Sequence, residues 1–186
     1  MNTNHSFQNI PALLRARVVE RHDKVFLFSQ MDGRHFTYSQ FADAVDRTAT
    51  FLSEKGIGKG DVVSLLMPNS VEYVIAYFAC WRLGALAGPV NSLLKSQEIT
   101  YVISNSETKA LLVNSEFLPA VESLRDQFPL LSAIIVFDNE AEATRGVKQT
   151  ELEPVEISPN DEAIIIYTSG TTGKPKGCLL THVRLT

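Results

Sequence analysis

The stretch Glu162-Ala-Ile-Ile-Ile-Tyr-Thr-Ser-Gly-Thr-Thr-Gly-Lys-Pro-Lys-Gly177 begins as an apolar run and continues as a loop rich in glycine, hydroxyl and lysine side chains. Residues 162–167 predict a strand, because the run is short and apolar. Gly170 and Gly173 let main-chain N–H groups approach an anion closely. Hydroxyl donors and positive charges surround these glycines, from Thr168, Ser169, Thr171, Thr172, Lys174 and Lys176. This composition is poor for a packed core and suits the binding of a polyphosphate.

Two common phosphate-binding patterns do not fit this loop. A Walker-type loop, G-x-x-x-x-G-K-(S/T), requires Gly and Ser or Thr at positions where this chain has Thr168 and Pro175. A dinucleotide-binding G-x-G-x-x-G pattern also fails, because the glycines fall at positions 170, 173 and 177. The remaining alternative is a flexible surface turn enriched in threonine by chance, and the order of the residues disfavours it.

Upstream of the loop, helical and extended patterns alternate as in an α/β domain. The predicted strands are residues 62–67, 86–90, 110–113 and 132–137, and the predicted helices between them are residues 71–83, 96–105 and 116–127. Pro68-Asn69-Ser70 ends the first of these strands and caps the first helix. The pattern therefore predicts a largely parallel sheet flanked by helices.

Further elements are predicted on both sides of this unit. Those before it are a helix over residues 7–20 and two strands over residues 25–30 and 35–38, joined by a turn at 31–34. Ser39 is the predicted N-cap of a helix that ends at Gly56. Residues 138–161 are acidic and contain prolines, so we expect an exposed loop there. Beyond the glycine-rich loop, residues 178–180 predict a short strand and Thr181 a helix cap.

The composition is that of a globular protein. The 186 residues are 45% hydrophobic and 20% charged, with a net charge of −4. No basic block indicates a nucleic-acid groove, so we expect no nucleic-acid partner. Residues 73–90 are apolar apart from Arg82, but that charge and the neighbouring glycines favour a buried helix and strand over a transmembrane segment. We find no signal peptide, and Cys80 and Cys178 are expected to be buried thiols in a reducing, cytoplasmic environment.

Residues 165–177 match, without a gap, the signature loop of the adenylate-forming superfamily, which reads approximately hydrophobic-x-x-(S/T)-S-G-(S/T)-T-G-x-P-K-G. This superfamily contains acyl-CoA synthetases, luciferases and the adenylation domains of peptide synthetases. Three upstream segments also resemble family segments, namely Phe36-Thr-Tyr-Ser-Gln-Phe41, Gly60-Asp-Val-Val-Ser-Leu-Leu-Met-Pro-Asn-Ser70 and Leu83-Gly-Ala-Leu-Ala-Gly-Pro-Val-Asn91. The resemblance implies that residues 1–186 are the N-terminal part of an AMP-binding (adenylation) domain, with the remainder of the enzyme absent.

The resemblance also implies a two-step reaction. A carboxylate attacks the α-phosphate of ATP bound with Mg2+, pyrophosphate leaves, and an acyl-adenylate forms. In the ligases a thiol, usually that of coenzyme A, then displaces AMP; the implied acid is of the fatty acid class. The family's phosphate-binding positions correspond here to Thr168, Ser169, Gly170, Thr171, Thr172 and Gly173, with Lys176 close by. No catalytic residue and no metal ligand is assigned within this chain.

His182 follows Thr181 as in the family's T-H-x-N-L segment, although Arg184 stands where the family usually has Asn. We favour a structural role for His182, in the first turn of a helix, over a catalytic one. The other polar and aromatic candidates also receive structural roles: surface positions for His5, His22 and His35, helix packing for Tyr77 and Trp81, and turn capping for Asn69 and Asn91.

The family places its adenine, ribose and acyl-binding groups and a late catalytic lysine downstream of the phosphate loop, where residues 1–186 have no counterpart. We therefore expect the N-terminal fragment of an acid–thiol ligase, inactive by itself and prone to self-association through apolar surface. Two alternatives remain open: a non-catalytic nucleotide-binding or interaction module, and the adenylation domain of another adenylate-forming subfamily. The particular acid depends on pocket contacts that these residues do not include.

Overall fold

A computed structural model describes residues 7–148, 152–168 and 174–186. Its helices are α1 (Ile10–Arg21), α2 (Tyr38–Glu54), α3 (Val71–Arg82), α4 (Ser96–Asn105), α5 (Leu118–Glu122) and α6 (Glu140–Ala143). Its strands are β1 (Val25–Phe28), β2 (His35–Thr37), β3 (Val62–Leu66), β4 (Leu86–Pro89), β5 (Ala110–Val113), β6 (Ala133–Val136), β7 (Glu162–Thr168) and β8 (Lys176–Thr181). Short 3-10 helices cover Ser115–Phe117, Arg125–Gln127 and His182–Arg184. Strands and helices thus alternate as the sequence patterns predict.

The main sheet contains six strands in the order β6-β5-β3-β4-β7-β8. Strand β3 pairs in parallel with β4 and β5, β5 pairs in parallel with β6, and β4 pairs in parallel with β7 through Ala87 and Ile164. Strand β8 runs antiparallel to β7 and forms one edge of the sheet. Strands β1 and β2 form a separate antiparallel hairpin. The predicted α/β fold with a largely parallel sheet is confirmed.

Helices cover both faces of the parallel strands, which explains why those strands are apolar throughout. Successive residues of a strand point to opposite faces. In β3, Val63 and Leu65 therefore pack with α2 and α3, whereas Leu66 packs with α4 and α5. The domain has three layers, and α4 lies on the face opposite α2 and α3.

Trp81 ties α3 to β7, the strand that leads into the glycine-rich loop. Its Nε1 donates a hydrogen bond of 2.7 Å to the backbone oxygen of Ala163. The Tyr77 ring packs on the indole, with 5.3 Å between the ring centroids. The predicted helix-packing role of both residues is confirmed, and their contacts fix β7 against α3.

The N-cap of α2 is Thr37, not Ser39 as predicted. The Thr37 hydroxyl accepts a hydrogen bond from the Gln40 backbone N–H, and the Gln40 side chain accepts one from the Thr37 N–H. This reciprocal capping box pairs two N–H groups at the helix terminus, whereas a cap at Ser39 lacks the second bond.

The predicted single helix over residues 116–127 is wrong. A 3-10 turn at Ser115–Phe117 precedes the short helix α5, and a second 3-10 turn at Arg125–Gln127 follows it. Pro119 explains the first break, because proline has no N–H and its ring fits only the first turn of a helix. The apolar spacing that suggested one helix is still used, since Val121 and Phe128 are buried on α4's side of the sheet.

The predicted exposed loop over residues 138–161 contains α6, and part of it is buried. Glu140 is only 4% exposed. Both of its carboxylate oxygens accept hydrogen bonds from Arg47 on α2, at 3.1 and 3.0 Å. A bidentate ion pair of this kind offsets the cost of burying the carboxylate, so α6 is held against α2 rather than exposed.

Residues 73–90 form most of α3 followed by β4, as predicted. Arg82 ends α3 and donates a hydrogen bond of 3.0 Å to the Asp46 carboxylate on α2. No helix of the described residues is long and apolar enough to cross a membrane. The prediction for the cysteines is half right: Cys80 is fully buried, which raises the pKa of its thiol to about 12, whereas Cys178 on the edge strand β8 is exposed.

His182 has the structural role that we predicted for it. It is fully buried, and its Nδ1 accepts a hydrogen bond of 3.5 Å from the backbone N–H of Ile10, in the first turn of α1. A neutral ring that accepts at Nδ1 carries its proton on Nε2, which has no hydrogen-bond partner among the described residues. Burial lowers the pKa of His182, Lys59 lowers it further, and Asp161 opposes the shift. His182 therefore joins the N-terminus of α1 to the end of β8 as a neutral imidazole.

This contact predicts a loss of stability in mild acid. The folded-state pKa of His182 lies below the ordinary histidine value of 6.5, so the unfolded chain binds the extra proton first. The contribution of His182 is complete above pH 6.5 and is lost as the pH falls through the folded-state pKa. We expect the free energy of unfolding, measured by urea titration, to fall between pH 7 and 5, and to fall less in His182→Gln. His22→Gln, at an exposed histidine, is the control and should retain the wild-type pH dependence; equal slopes in all three proteins would contradict the assignment.

Candidate phosphate-binding site

The glycine-rich loop leaves the sheet at the carboxyl edge of its parallel strands. Strands β4 and β7 are parallel neighbours, so their carboxyl ends, at Pro89 and Thr168, lie at the same edge. In open α/β sheets ligands bind in the crevice outside this edge. The fold therefore places the start of the predicted phosphate loop where such sheets bind ligands.

A small cleft of about 180 Å3 lies beside the ends of the loop. It is lined by residues of the turn after β4, the first turns of α4 and both ends of the loop: Pro89, Val90, Asn91, Leu94, Glu98, Val102, Tyr167, Thr168 and Pro175. Asn91 is a capping residue, as predicted, because its Oδ1 accepts a hydrogen bond of 2.9 Å from the Leu93 N–H. Apolar and polar side chains therefore both line the cleft.

Two of the predicted phosphate-binding residues lie among the described residues, and the structure brings them together. Thr168 and Lys176 face each other directly in the antiparallel ladder of β7 and β8. Directly opposite residues point to the same face of a sheet, with Cβ atoms about 5 Å apart. Both residues are exposed. Their hydroxyl and ammonium groups can therefore contact the same anion. The other predicted residues, Ser169, Gly170, Thr171, Thr172 and Gly173, lie outside the described residues.

Helix α4 contributes groups that the sequence analysis missed. The Tyr167 hydroxyl donates a hydrogen bond of 2.8 Å to Asn105 Oδ1. The rings of Tyr101 and Tyr167 meet edge to face, with 6.5 Å between centroids, and Lys174 Nζ lies 5.4 Å from the centroid of the Tyr101 ring. Glu98, Tyr101 and Asn105 follow helical spacing along one face of α4. That spacing is visible in the sequence, but nothing local to residues 96–105 indicates that this face contacts the loop.

The described residues offer little that binds a metal ion directly. Within residues 7–148, 152–168 and 174–186, no group of three or more His, Cys, Asp or Glu side chains is placed to hold one. Glu98 is the one carboxylate among the residues that line the cleft. Magnesium in nucleotide sites is held largely by water and phosphate oxygens, so this donor set fits an ion that arrives with its nucleotide.

Comparison with known proteins agrees with this geometry. The sequence profile of the family described as AMP-binding enzyme matches residues 14–186. The long-chain-fatty-acid–CoA ligase FadD13 of Mycobacterium tuberculosis is 36% identical over 179 residues, which cover 94% of this chain and 35% of the relative. The crotonobetaine/carnitine–CoA ligase of Salmonella typhimurium is 32% identical over 173 residues, which cover 86% of this chain and 33% of the relative.

A solved structure gives the same result. The inhibitor-bound N-terminal domain of FACL13 from Mycobacterium tuberculosis superposes with a TM-score of 0.87 at 33% identity, over 95% of this chain and 45% of that one. The chain thus spans about a third of the length of the curated relatives that it matches, and the segment that it shares with them is N-terminal. The signature loop, the parallel sheet and these matches together show that the chain belongs to the AMP-binding enzyme family and matches the N-terminal part of acyl-CoA ligases of that family.

Proposed function

We propose that residues 168–176 bind the β- and γ-phosphates of ATP, in the first half-reaction of an acid–thiol ligase. The observation that supports this most directly is the pairing of Thr168 with Lys176 at the carboxyl edge of the sheet. A hydroxyl can donate to a phosphate oxygen, and an ammonium group offsets its negative charge. Both groups are held by the strand ladder and not by a free loop.

In the proposed reaction, a carboxylate oxygen attacks the α-phosphorus of ATP and the bond to the β-phosphate oxygen breaks. Negative charge then accumulates on the departing pyrophosphate. Lys176 and the hydroxyl of Thr168 stabilise that charge, and the ladder keeps them in place before the reaction begins, so little reorganisation is needed. Magnesium bound with the nucleotide neutralises further phosphate charge.

The second half-reaction and the identity of the acid rest on the relatives. One relative is named as a ligase of long-chain fatty acids and coenzyme A, and another as a ligase of crotonobetaine or carnitine and coenzyme A. We infer that the whole protein transfers the acyl group of a carboxylic acid, of the fatty acid class, from AMP to the thiol of coenzyme A. We attribute the ATP chemistry of the whole protein to the segment that it shares with the relatives, whereas the acid in the names of the two relatives differs.

If the loop binds phosphate, the replacement of Lys176 alone should weaken the binding of pyrophosphate. Replacing Lys176 with methionine removes the charge but keeps most of the side-chain length, so the affinity for pyrophosphate should fall about tenfold, as expected for one charge-assisted hydrogen bond. Isothermal titration calorimetry with pyrophosphate and with MgATP measures this. Lys55→Met is the matched control, because Lys55 precedes β3 and so lies at the amino edge of the sheet. An unchanged affinity in Lys176→Met, or equal losses in both variants, would contradict the role.

The same proposal predicts that residues 1–186 alone do not complete the reaction. Phosphate binding is one part of adenylation, and the family's groups for adenine, ribose and the acid lie downstream of the loop. We expect exchange of radiolabelled pyrophosphate into ATP to stay at the level of a protein-free blank with carboxylic acids from acetate to palmitate. Measurable exchange by this chain, which Lys176→Met abolishes, would show that these residues suffice.

We also propose that the chain self-associates, as the exposed apolar residues near the sheet edge suggest. Leu179, Val183 and Leu185 are 47%, 48% and 38% exposed, and no other strand of the described residues pairs with the outer edge of β8. Sedimentation velocity should show a mass that rises with protein concentration. Leu179→Lys should reduce this association, whereas Leu130→Lys, at a leucine that is 57% exposed before β6, should not. A monomer at all concentrations would refute the proposal.

A further inference from the structure

Tyr167 occupies a position that sets where the phosphate loop leaves the sheet. It is the second-last residue of β7, immediately before Thr168, and it pairs with Gly177 on β8. A methyl group placed on Gly177 would lie 3.1 Å from Cζ and 3.3 Å from the hydroxyl oxygen of Tyr167. The tyrosine ring therefore extends across the hairpin and lies close to the glycine.

The Tyr167 ring, and not the backbone conformation, explains why glycine stands at position 177. Its φ does not fall in the left-handed region that favours glycine, so the backbone at this position accepts an L-residue. Any side chain at position 177 would point to the same face as Tyr167, because the two residues are directly opposite. Glycine leaves the space in which the ring lies. A cross-strand pair of an aromatic residue and glycine is a known stabilising arrangement in sheets.

The far end of the tyrosine ring is held by α4. Its hydroxyl donates to Asn105 Oδ1, on the last turn of that helix. Tyr167 is partly buried, and burial raises the pKa of its hydroxyl, with Tyr101 adding to the shift. The hydroxyl is therefore protonated at neutral pH and available as a donor.

The C-terminal end of the glycine-rich loop also contacts α4. Lys174 Nζ lies over the ring of Tyr101 at 5.4 Å from its centroid, and Tyr101 is one helical turn from Asn105. An exposed contact of a cation with an aromatic face is modest in strength, but here it adds to a hydrogen bond on the adjacent turn. One face of α4 therefore contacts both residue 167, which precedes the loop, and Lys174.

We propose that Tyr167, lying across Gly177 and hydrogen-bonded to Asn105, is a positioning residue that fixes the two ends of the phosphate loop on α4. This inference rests on the proposed phosphate-binding role of residues 168–176. Tyr167 itself need not touch the nucleotide. Its effect is to place Thr168 and Lys176 in register before the phosphates bind, which reduces the ordering that binding must otherwise bring about.

Removal of one hydroxyl group tests the proposal. In Tyr167→Phe the ring still lies close to Gly177 but the bond to Asn105 is lost, and we expect calorimetry to show pyrophosphate bound about threefold to tenfold more weakly. Tyr73→Phe is the matched control, because Tyr73 also loses one hydroxyl contact, to Tyr77 at 3.4 Å on α3. A purely structural role predicts a similar small loss of unfolding free energy in both variants and unchanged affinity in both, and that result would overturn the proposal.

A double-mutant cycle tests whether Tyr167 affects pyrophosphate binding through its hydrogen bond to Asn105. If Tyr167 acts through Asn105, then Asn105→Leu should weaken pyrophosphate binding as much as Tyr167→Phe does, and the double variant should bind no more weakly than either single one. Losses that add fully would show that the two residues act independently. Gly177→Ala provides a second approach, since its methyl group would lie 3.1 Å from the Tyr167 ring and 3.2 Å from Ile165 Cδ1 and must shift them without removing any polar group, so it should also weaken binding.

A measurement without ligand separates this inference from the proposed function. In 1H–15N spectra of the free chain, the amide signals of Lys174 and Lys176, which are remote from Tyr167 along the chain, should shift in Tyr167→Phe and stay in place in Tyr73→Phe. Failure of the wild-type chain to bind pyrophosphate, together with these shifts, would refute the phosphate-binding role and leave the positioning intact. Unshifted amides in Tyr167→Phe would refute the positioning whatever the wild type binds.

Discussion

Parallel pairing of β4 with β7 is the constraint on which the candidate site depends. Because parallel strands end at the same edge, the turn after β4 and the start of the glycine-rich loop meet there although the chain travels through two further strands between them. The hydrogen bond from Trp81 Nε1 to the Ala163 carbonyl holds β7 against α3 near its beginning. The contact of Tyr167 with Asn105 holds its end on α4. Strand β7 is thus hydrogen-bonded to helices on both faces of the sheet.

Charged side chains in the core and at the glycine-rich loop have different partners. The buried carboxylates are paired: Glu72 accepts two hydrogen bonds from Arg34, and Glu140 accepts two from Arg47. These pairs fasten the β1–β2 hairpin and α6 to the helices. At the loop, Lys174 contacts an aromatic ring, and no carboxylate among the described residues pairs with it. Since a single exposed charge pair contributes only about 1 kcal/mol in water, the proposed anion binding there would need several donors held in register.

Helices and strands were predicted correctly from the sequence where the local pattern indicated a single structure. Helix α4 and strand β5 have the predicted bounds, and Ser70 caps α3 as expected. The predictions failed where two local signals competed. Thr37 and Ser39 are both acceptable caps, and the reciprocal bond with Gln40 favours Thr37. The apolar spacing of residues 116–127 favoured one helix, but Pro119 limits where a helix can start. Burial of Glu140 and exposure of Cys178 depend on neighbours that are remote in sequence.

The sequence by itself determined the class of the fold and the family of the chain. Glycines, hydroxyls and lysines in a fixed order after an apolar strand predict an anion site locally, because each property belongs to the residue itself. Only the tertiary structure decided which residues support that site. Tyr101 and Asn105 lie on a helix far upstream, and their contacts with Lys174 and Tyr167 exist because the sheet order brings α4 beside β7. Such contacts leave no local pattern, since any polar helix face satisfies the same spacing.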